Sequence, residues 1–211
     1  NVSHDIKTPL TSIINYVDLL QKEDIDNEKV REYLDVLDRQ SSRLKKLIQD
    51  LLEASKASTG SINVELEELD AAVMLSQVAG EYEEKFKKNN LDLIIKNDVT
   101  PVMIQADGRH LWRVFDNLMN NINKYAQPCT RVYIDIIPKD SGAIITFKNV
   151  SATPLNISSD ELKERFVRGD SSRNTEGSGL GLSIAESLMK LMNGTLELTV
   201  DGDLFKVTLE F

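Results

Sequence analysis

Apolar side chains in the first quarter of the chain recur at alternating spacings of three and four residues. This is the pattern of amphipathic helices in a bundle or coiled coil. It predicts one helix over residues 2–21 and a second over about 26–57. The apolar positions are Ile6, Leu10, Ile13, Val17 and Leu20 in the first helix, and Val30, Tyr33, Leu37, Leu44, Leu47, Leu51 and Ala54 in the second.

Two such helices do not bury both of their apolar seams, because each helix packs on only one neighbour. Four helices do, and we therefore predict a homodimeric four-helix bundle. A monomeric helical hairpin that lies on the rest of the chain is the alternative.

A small polar stretch, SKASTGSIN at residues 55–63, follows these helices, and Gly60 in it is a helix stop signal. We place a domain boundary there, between a helical domain over 1–60 and a second domain over 61–211. In the second domain the pattern predicts strands at 62–67, 91–96, 101–105, 130–137, 142–149, 194–200 and 203–210, and helices at 70–89, 107–126 and 178–193. The uneven order of these elements, and a terminal hairpin turn at Asp201-Gly202, predict an α+β sandwich with one mixed sheet and helices on one face.

Composition narrows the function. The net charge is −9 over 211 residues, which argues against general nucleic-acid binding, because phosphate contacts need a basic surface. One cysteine and two histidines exclude a cysteine-rich or multi-histidine metal site, and this cysteine usage fits the cytoplasm. No apolar run approaches the roughly 18 residues of a membrane span.

The first candidate site is the run Ser3-His4-Asp5-Ile6-Lys7-Thr8-Pro9. His4 lies ~200° round the helix from the seam residue Ile6, so it is expected to face solvent. Pro9 cannot donate a hydrogen bond to the Asp5 carbonyl, which predicts a bend just past His4. Such a bend lets the Asp5 carboxylate approach the imidazole, and an exposed neutral imidazole is a competent nucleophile. A surface His–Asp pair without function is the alternative.

The second candidate site is a face of the helix predicted over 107–126. Asn117, Asn121 and Lys124 share this face at spacings of four and three. Asparagine is a poor helix former, so a role other than helix support is indicated. Two side-chain carbonyls one turn apart suit Mg²⁺, which takes few protein ligands and keeps waters and phosphate oxygens. A polar face in solvent is the alternative.

The third candidate site is the run Gly177-Ser178-Gly179-Leu180-Gly181-Leu182 before an amphipathic helix. Glycines let the backbone approach an anion, and the N–H groups at a helix start bind phosphate. Neither a P-loop nor a strand–GxGxxG–helix fingerprint is present. A long stretch of little apolar periodicity precedes the run, and a capping box at Ser158 and Glu161 predicts a short helix within it.

These three runs, in this order, resemble the motifs of sensor histidine kinases. SHDIKTPLT at residues 3–11 resembles the H-box, NLMxNxxKY from Asn117 to Tyr125 the N-box, and the glycine run the G2 box. The resemblance implies a dimerisation and phosphoacceptor domain followed by an ATP-binding domain of the Bergerat type. It implies that His4 is phosphorylated. It implies that Asn117 and Asn121 bind Mg²⁺ and nucleotide, and that Lys124 and Tyr125 contact the nucleotide. The phosphate-binding loop would contain Gly177, Gly179, Leu180 and Gly181. An ATP lid would contain Arg168 and Arg173, with Phe166 at the F-box.

One motif departs from the family pattern. The G1 box, D-x-G-x-G, is expected after the strand that ends near Asn149, but the chain reads KNVSATP from Lys148 and lacks both glycines. Asn149 takes the position of the aspartate that accepts a hydrogen bond from the adenine amino group. Its carbonyl accepts the same bond without charge assistance, and so more weakly. A nucleotide site that binds ATP poorly is the alternative.

The resemblance thus implies the cytoplasmic catalytic core of a two-component sensor histidine kinase. Mg²⁺-ATP phosphorylates His4 with Asp5 as the candidate general base, and the phosphoryl group passes to an aspartate of a response regulator. Asp5 and Thr8 also match a pattern linked to regulator phosphatase activity, with Thr8 positioning water. The alternatives are a phosphatase or docking module with a dead kinase site, and an ATPase of the DNA gyrase or MutL type. Because Asn1 falls inside the expected first helix, we expect a preceding sensor region, which would be the only link to a membrane.

Overall fold

A computed structural model gives the fold. It describes residues 2–23, 27–58, 62–97, 101–155 and 180–211, with the backbone alone for 2–9 and for Ser58. The first part is a hairpin of two helices, α1 (Val2–Lys22) and α2 (Glu28–Ser58), which confirms the two predicted helices to within two residues. Asn27 caps α2, because its side-chain oxygen accepts hydrogen bonds from the backbone N–H groups of Lys29 and Val30.

The apolar seam of the hairpin is divided into an inner and an outer row. Leu10, Val17 and Leu34 are buried between the helices, with Ser41 continuing that row on α2. An outer row stays exposed, although its members also repeat every seven residues. We call it the outer seam, and it consists of Ile13, Leu20, Leu37, Leu44 and Leu51, each about half exposed. Within one chain, therefore, the inner row of apolar side chains is buried and the outer seam is left exposed.

The second part is a sheet with helices on one face. Its elements are β1 (Glu67–Asp70), α3 (Ala71–Lys88), β2 (Asp92–Asn97), β3 (Met103–Ala106), α4 (Gly108–Tyr125), β4 (Arg131–Pro138), β5 (Ala143–Val150), α5 (Gly181–Leu191), β6 (Thr195–Asp201) and β7 (Leu204–Glu210). Five strands form a mixed sheet in the order β2-β4-β5-β7-β6, in which only β2 and β4 are parallel. This confirms the α+β prediction.

Alternation along the strands explains the layers. In β4 the buried residues are Val132, Ile134 and Ile136, and these face the helices, whereas the intervening residues are more exposed. On α4 the helical spacing of Leu111, Val114 and related positions buries one face completely. The core therefore lies between the sheet and the three helices, and it fixes the polar side of α4 at one edge of that layer.

The first strand was predicted wrongly. The alternation of Ile62, Val64 and Leu66 placed a strand at 62–67, but strand pairing begins only at Glu67. Before that point the backbone N–H of Glu65 donates to the Asp107 carboxylate at 3.0 Å, and not to a neighbouring strand. Ile62 and Val64 pack on the core from this unpaired segment. In addition β1 and β3 form a separate two-stranded sheet, where a single sheet was predicted.

Candidate nucleotide site

Helix α4 is anchored at its first turn by Asp107. The side chain of Asp107 is 3% exposed and accepts hydrogen bonds from the backbone N–H groups of Arg109, His110 and Glu65. Burial alone opposes the carboxylate charge, but these hydrogen bonds outweigh it and lower the pKa of Asp107 to about 2. A charged N-cap therefore ties α4 to the segment before β1, and it fixes the helix that carries the predicted Mg²⁺ ligands.

Asn117 lies where α4 meets the start of α5. The residue is 9% exposed, and its side-chain nitrogen is buried without a hydrogen-bond partner among the residues that the structure describes. A Cβ placed on Gly181 would stand 3.4 Å from the Asn117 side-chain oxygen, so the last glycine of the glycine run lies directly against the amide. Buried polar groups are nearly always paired, so the unmatched amide makes Asn117 a candidate ligand-binding residue.

Three other predicted residues continue along α4. Asn121, Lys124 and Tyr125 are half-buried, one to two turns beyond Asn117. Asn123 is different, because its backbone and side-chain oxygens both accept from the side-chain amide of Asn89 at the end of α3, at 2.8 and 2.9 Å. Of the asparagines on this helix, Asn123 is therefore structural, and Asn117 is the one with an unmatched buried amide.

Main-chain hydrogen bonds join the end of α4 to the end of β5. The backbone N–H of Ala152 donates to Tyr125, and that of Gln127 donates to Val150, both at 2.8 Å. Asn149 stands at this junction, 4% exposed, and its side-chain amide donates to the carbonyl of Val150 at 3.1 Å. No residue from 149 to 155 has a positive φ, so the backbone here does not need the missing glycines.

The first turn of α5 has no side-chain cap from its N-cap residue. Leu180 occupies the N-cap position and its side chain offers no acceptor to the first-turn N–H groups. The carbonyl of Leu180 accepts from the backbone N–H of Ile184 and from the Ser183 hydroxyl, which begins the helix firmly at Gly181. The positive end of the helix dipole thus lies beside the Asn117 amide.

Several predicted residues are not placed by the structure. Arg168, Arg173, Gly177 and Gly179, together with Phe166 and the predicted short helix, lie outside the described residues. His4, Asp5 and Thr8 belong to α1, of which only the backbone is described in this stretch, and α1 continues as a helix through Pro9. The structure therefore brings together Asn117 and Gly181, and it joins the ends of α4 and β5 beside Asn149.

Sequence reasoning missed a group of charged residues between α2 and α4. The Arg113 guanidinium contacts Asp50 at 2.7 Å and Glu53 at 2.9 Å. Asp116, next to Asn117, accepts a 2.6 Å hydrogen bond from the buried Tyr82 hydroxyl of α3. No spacing rule relates residues some sixty positions apart. The only local signal for this contact was weak, namely two acidic residues, Asp50 and Glu53, one turn apart near the end of an amphipathic helix.

Comparison with known proteins identifies the class. The family described as "His Kinase A (phospho-acceptor) domain" matches residues 1–60, and the family described as "Histidine kinase-, DNA gyrase B-, and HSP90-like ATPase" matches residues 106–211. The chain belongs to the histidine kinase family and carries both of its conserved domains. None of the helices in the described ranges has the length and apolarity needed to cross a membrane.

Particular relatives agree with this assignment. The chain is 31% identical to the sensor protein VanSC of Enterococcus gallinarum, over 92% of this chain and 54% of that protein. It is 29% identical to the sensor protein kinase WalK of Staphylococcus aureus, over 93% of this chain and 48% of that protein. The chain thus spans about half the length of these relatives.

Solved structures show the same fold. Full-length ShkA in complex with AMPPNP has a TM-score of 0.80 at 21% identity, over 99% of this chain and 44% of that one. The Acinetobacter baumannii histidine kinase AdeS has a TM-score of 0.69 at 17% identity, over 99% of this chain and 96% of that one.

Proposed function

We propose that this chain transfers the γ-phosphoryl group of Mg²⁺-ATP to His4. The observation that carries the proposal is the side-chain nitrogen of Asn117, which is buried without a hydrogen-bond partner among the described residues and lies against Gly181 at the start of α5. A polar group of this kind, beside backbone N–H groups that favour anions, fits a phosphate chain with its cation. The ATPase family match and the AMPPNP bound to the ShkA structure support nucleotide as the ligand.

Asparagine suits the cation at this place. Rotation of the Asn117 amide by 180° exchanges its nitrogen and oxygen, so the unmatched position can present a carbonyl oxygen. Asn117 and Asn121 would then hold Mg²⁺, with phosphate oxygens and waters as the remaining ligands. When bound, the ion supplies neutralisation of charge on the β- and γ-phosphates.

The other predicted residues would each contact a different part of the nucleotide. Lys124 and the lid arginines, Arg168 and Arg173, would meet phosphate charge, and the Gly177, Gly179, Leu180 and Gly181 backbone would follow the phosphate chain. Tyr125 and Asn149, near the junction of α4 with β5, would contact the base, and the Asn149 carbonyl would accept a hydrogen bond from the adenine amino group.

The chemical step is an in-line displacement. The lone pair of one His4 ring nitrogen attacks the γ-phosphorus, the bond to the bridging β-oxygen breaks, and ADP leaves with that electron pair. Asp5 holds or takes the proton of the imidazole. The phosphorylated His4 then transfers its phosphoryl group to a response-regulator aspartate. In the reverse direction of signalling, we assign to Thr8 the positioning of the water that hydrolyses the phosphorylated regulator.

The working unit would be a homodimer. The outer seam is apolar, repeats every seven residues and is about half exposed in one chain. A second hairpin that covers it would complete a four-helix bundle. The domain boundary near residue 60 stays a prediction, and it agrees with the end of the phosphoacceptor match.

The test is incubation with γ-labelled ATP and Mg²⁺. We expect acid-labile, base-stable label that is lost in His4→Gln. His110→Gln is the matched control, because His110 is the only other histidine and contacts the Asn63 carbonyl in the second domain. Label in His4→Gln, or none in the wild type, would contradict the proposal. Equal labelling of Asn117→Ala would contradict the assignment of Asn117.

A further inference from the structure

A partly buried group of ion pairs joins the nucleotide-binding domain to α2. Arg113 of α4 extends its guanidinium to two carboxylates one turn apart on α2, with 2.7 Å to Asp50 and 2.9 Å to Glu53. The Asp50 side chain is 6% exposed and that of Arg113 is 26% exposed. We call these three residues the Arg113 clasp.

The clasp differs from a surface salt bridge, which contributes little because water competes with it. Burial opposes the Arg113 charge, but Glu53 and Asp50 outweigh this effect and hold the pKa of the guanidinium above its usual range. Removal of the arginine would leave the Asp50 carboxylate buried without its guanidinium, which is costly. These ion pairs therefore favour a position of α4 close to the end of α2.

The clasp is also continuous with the candidate site. Arg113 precedes Asn117 by one helical turn, and it lies 3.6 Å from Asp116, which is fixed by the Tyr82 hydroxyl. Near the clasp, the side chain of Ala54 packs on the core of the second domain, and Ala57 is buried. The clasp therefore lies on the same helix as Asn117, beside apolar contacts between α2 and the second domain.

The clasp stands at the height of the phosphoacceptor. The Gln21 amide of α1 donates to Asp35 of α2, so these two residues are level in the hairpin. His4 lies seventeen residues before Gln21, and Leu52 lies seventeen residues after Asp35. Both antiparallel helices rise about 1.5 Å per residue, so His4 is level with Leu52, between Asp50 and Glu53.

We infer that Arg113 is a positioning residue for phosphoryl transfer, because its ion pairs with Asp50 and Glu53 hold the nucleotide-binding domain against α2 at the height of His4. This inference rests on the proposed function. None of the three clasp residues is a predicted nucleotide contact, so loss of the clasp is expected to slow transfer and to leave nucleotide affinity intact.

The experiment measures the rate of His4 labelling at saturating Mg²⁺-ATP, and separately the Kd for a non-hydrolysable ATP analogue. For Arg113→Gln we expect labelling slower by about tenfold or more, as misplacement of reacting groups produces, with the Kd changed by less than about twofold. Arg113→Lys should restore part of the rate. Arg109→Gln is the matched control, since Arg109 is one turn earlier on α4, has a side chain that is 73% exposed, and pairs with Asp107 at 3.3 Å.

A double-mutant cycle completes the test. Asp50→Asn with Glu53→Gln should slow labelling like Arg113→Gln, and the three changes together should be no slower than either. Three results would overturn the inference. The first is a combined variant whose loss of rate is the product of the two separate losses. The others are an Arg113→Gln rate equal to or above that of the wild type, and a parallel loss of nucleotide affinity.

Failure of the proposed function is separable from failure of the clasp. If the wild type takes no label on His4, the proposed function has failed. Amide hydrogen exchange over residues 50–57 and 181–191 then measures directly whether the second domain is packed against α2. Exchange that rises in Arg113→Gln and not in Arg109→Gln supports the clasp as the docking contact, and unchanged exchange overturns it.

Discussion

The two parts of this molecule satisfy their apolar surfaces in different ways. The sheet-and-helix domain buries its own, with Phe115 and Phe147 essentially inaccessible and their ring centres 5.9 Å apart. The hairpin leaves Leu37, Leu44 and Leu51 about half exposed. The domain is thus built to fold as a unit, whereas the hairpin depends on contacts from outside it.

The largest expected effect separates the stability of the two parts. Phe115→Ala should destabilise the sheet-and-helix domain by about 4 kcal/mol, because it removes a buried aromatic ring and leaves a cavity. Urea unfolding followed by circular dichroism measures the loss. Val73→Ala on the exposed face of α3 is the control, and we expect it to cost less than about 0.5 kcal/mol. A small effect of Phe115→Ala would mean that the domain core is not where the structure places it.

A second prediction breaks the outer seam and leaves the domain core intact. Leu44→Lys together with Leu51→Lys should weaken self-association by about a hundredfold or more, equivalent to about 3 kcal/mol, because both changes put charge into an apolar row. Sedimentation velocity measures the change. Lys46→Glu, ~200° round α2 from Leu44, is the control and should keep the wild-type association. Unchanged association of the double variant would refute the proposed bundle.

A third prediction concerns the anchor of α4. Asp107→Asn should destabilise the domain by about 2 kcal/mol at neutral pH, because it loses the charge that three backbone N–H groups stabilise. Folding lowers the pKa of Asp107 to about 2, so its contribution is complete above pH ~4 and is lost as the pH falls through about 2. The stability difference between wild type and variant should shrink over that interval. A difference that is constant from pH 7 to pH 2 would show that the charge is not responsible.

The smallest expected effect sharpens the adenine assignment. Asn149→Asp should tighten ATP binding by about fivefold, because it returns charge assistance to the hydrogen bond from the adenine amino group. Calorimetric titration measures the gain, and GTP, which lacks that amino group, should show none. Equal changes for ATP and GTP would remove Asn149 from the adenine contact.

Much of the fold was predictable because it follows from periodicity. The spacing of Leu10 and Val17 placed α1, and the alternation of Val132, Ile134 and Ile136 placed β4. The strand at 62–67 was wrong because a carboxylate from Asp107, distant in sequence, replaces a strand partner for Glu65. Periodicity also did not divide the hairpin seam into inner and outer rows, since both rows repeat every seven residues.

The candidate site was predictable for a different reason. Asn117 and Gly181 were found because motif residues carry chemistry that is visible in one segment, and the structure adds their contact. Arg113 and its partners were not found, because an ion pair between distant segments leaves no local pattern. Sequence thus predicted a set of nucleotide-binding residues, but it did not predict the ion pairs between α2 and α4.

The junction of α4 with β5 explains how the chain can lack the G1 glycines. The contacts there are between main-chain groups, from Ala152 to Tyr125 and from Gln127 to Val150. Such bonds form whatever the side chains are, and the φ angles of this stretch suit ordinary L-residues. The backbone of this junction is therefore compatible with many different side chains in its loop. Substitutions at Ser151 and Ala152 should therefore change the side-chain contacts of this junction more than they change the position of its backbone.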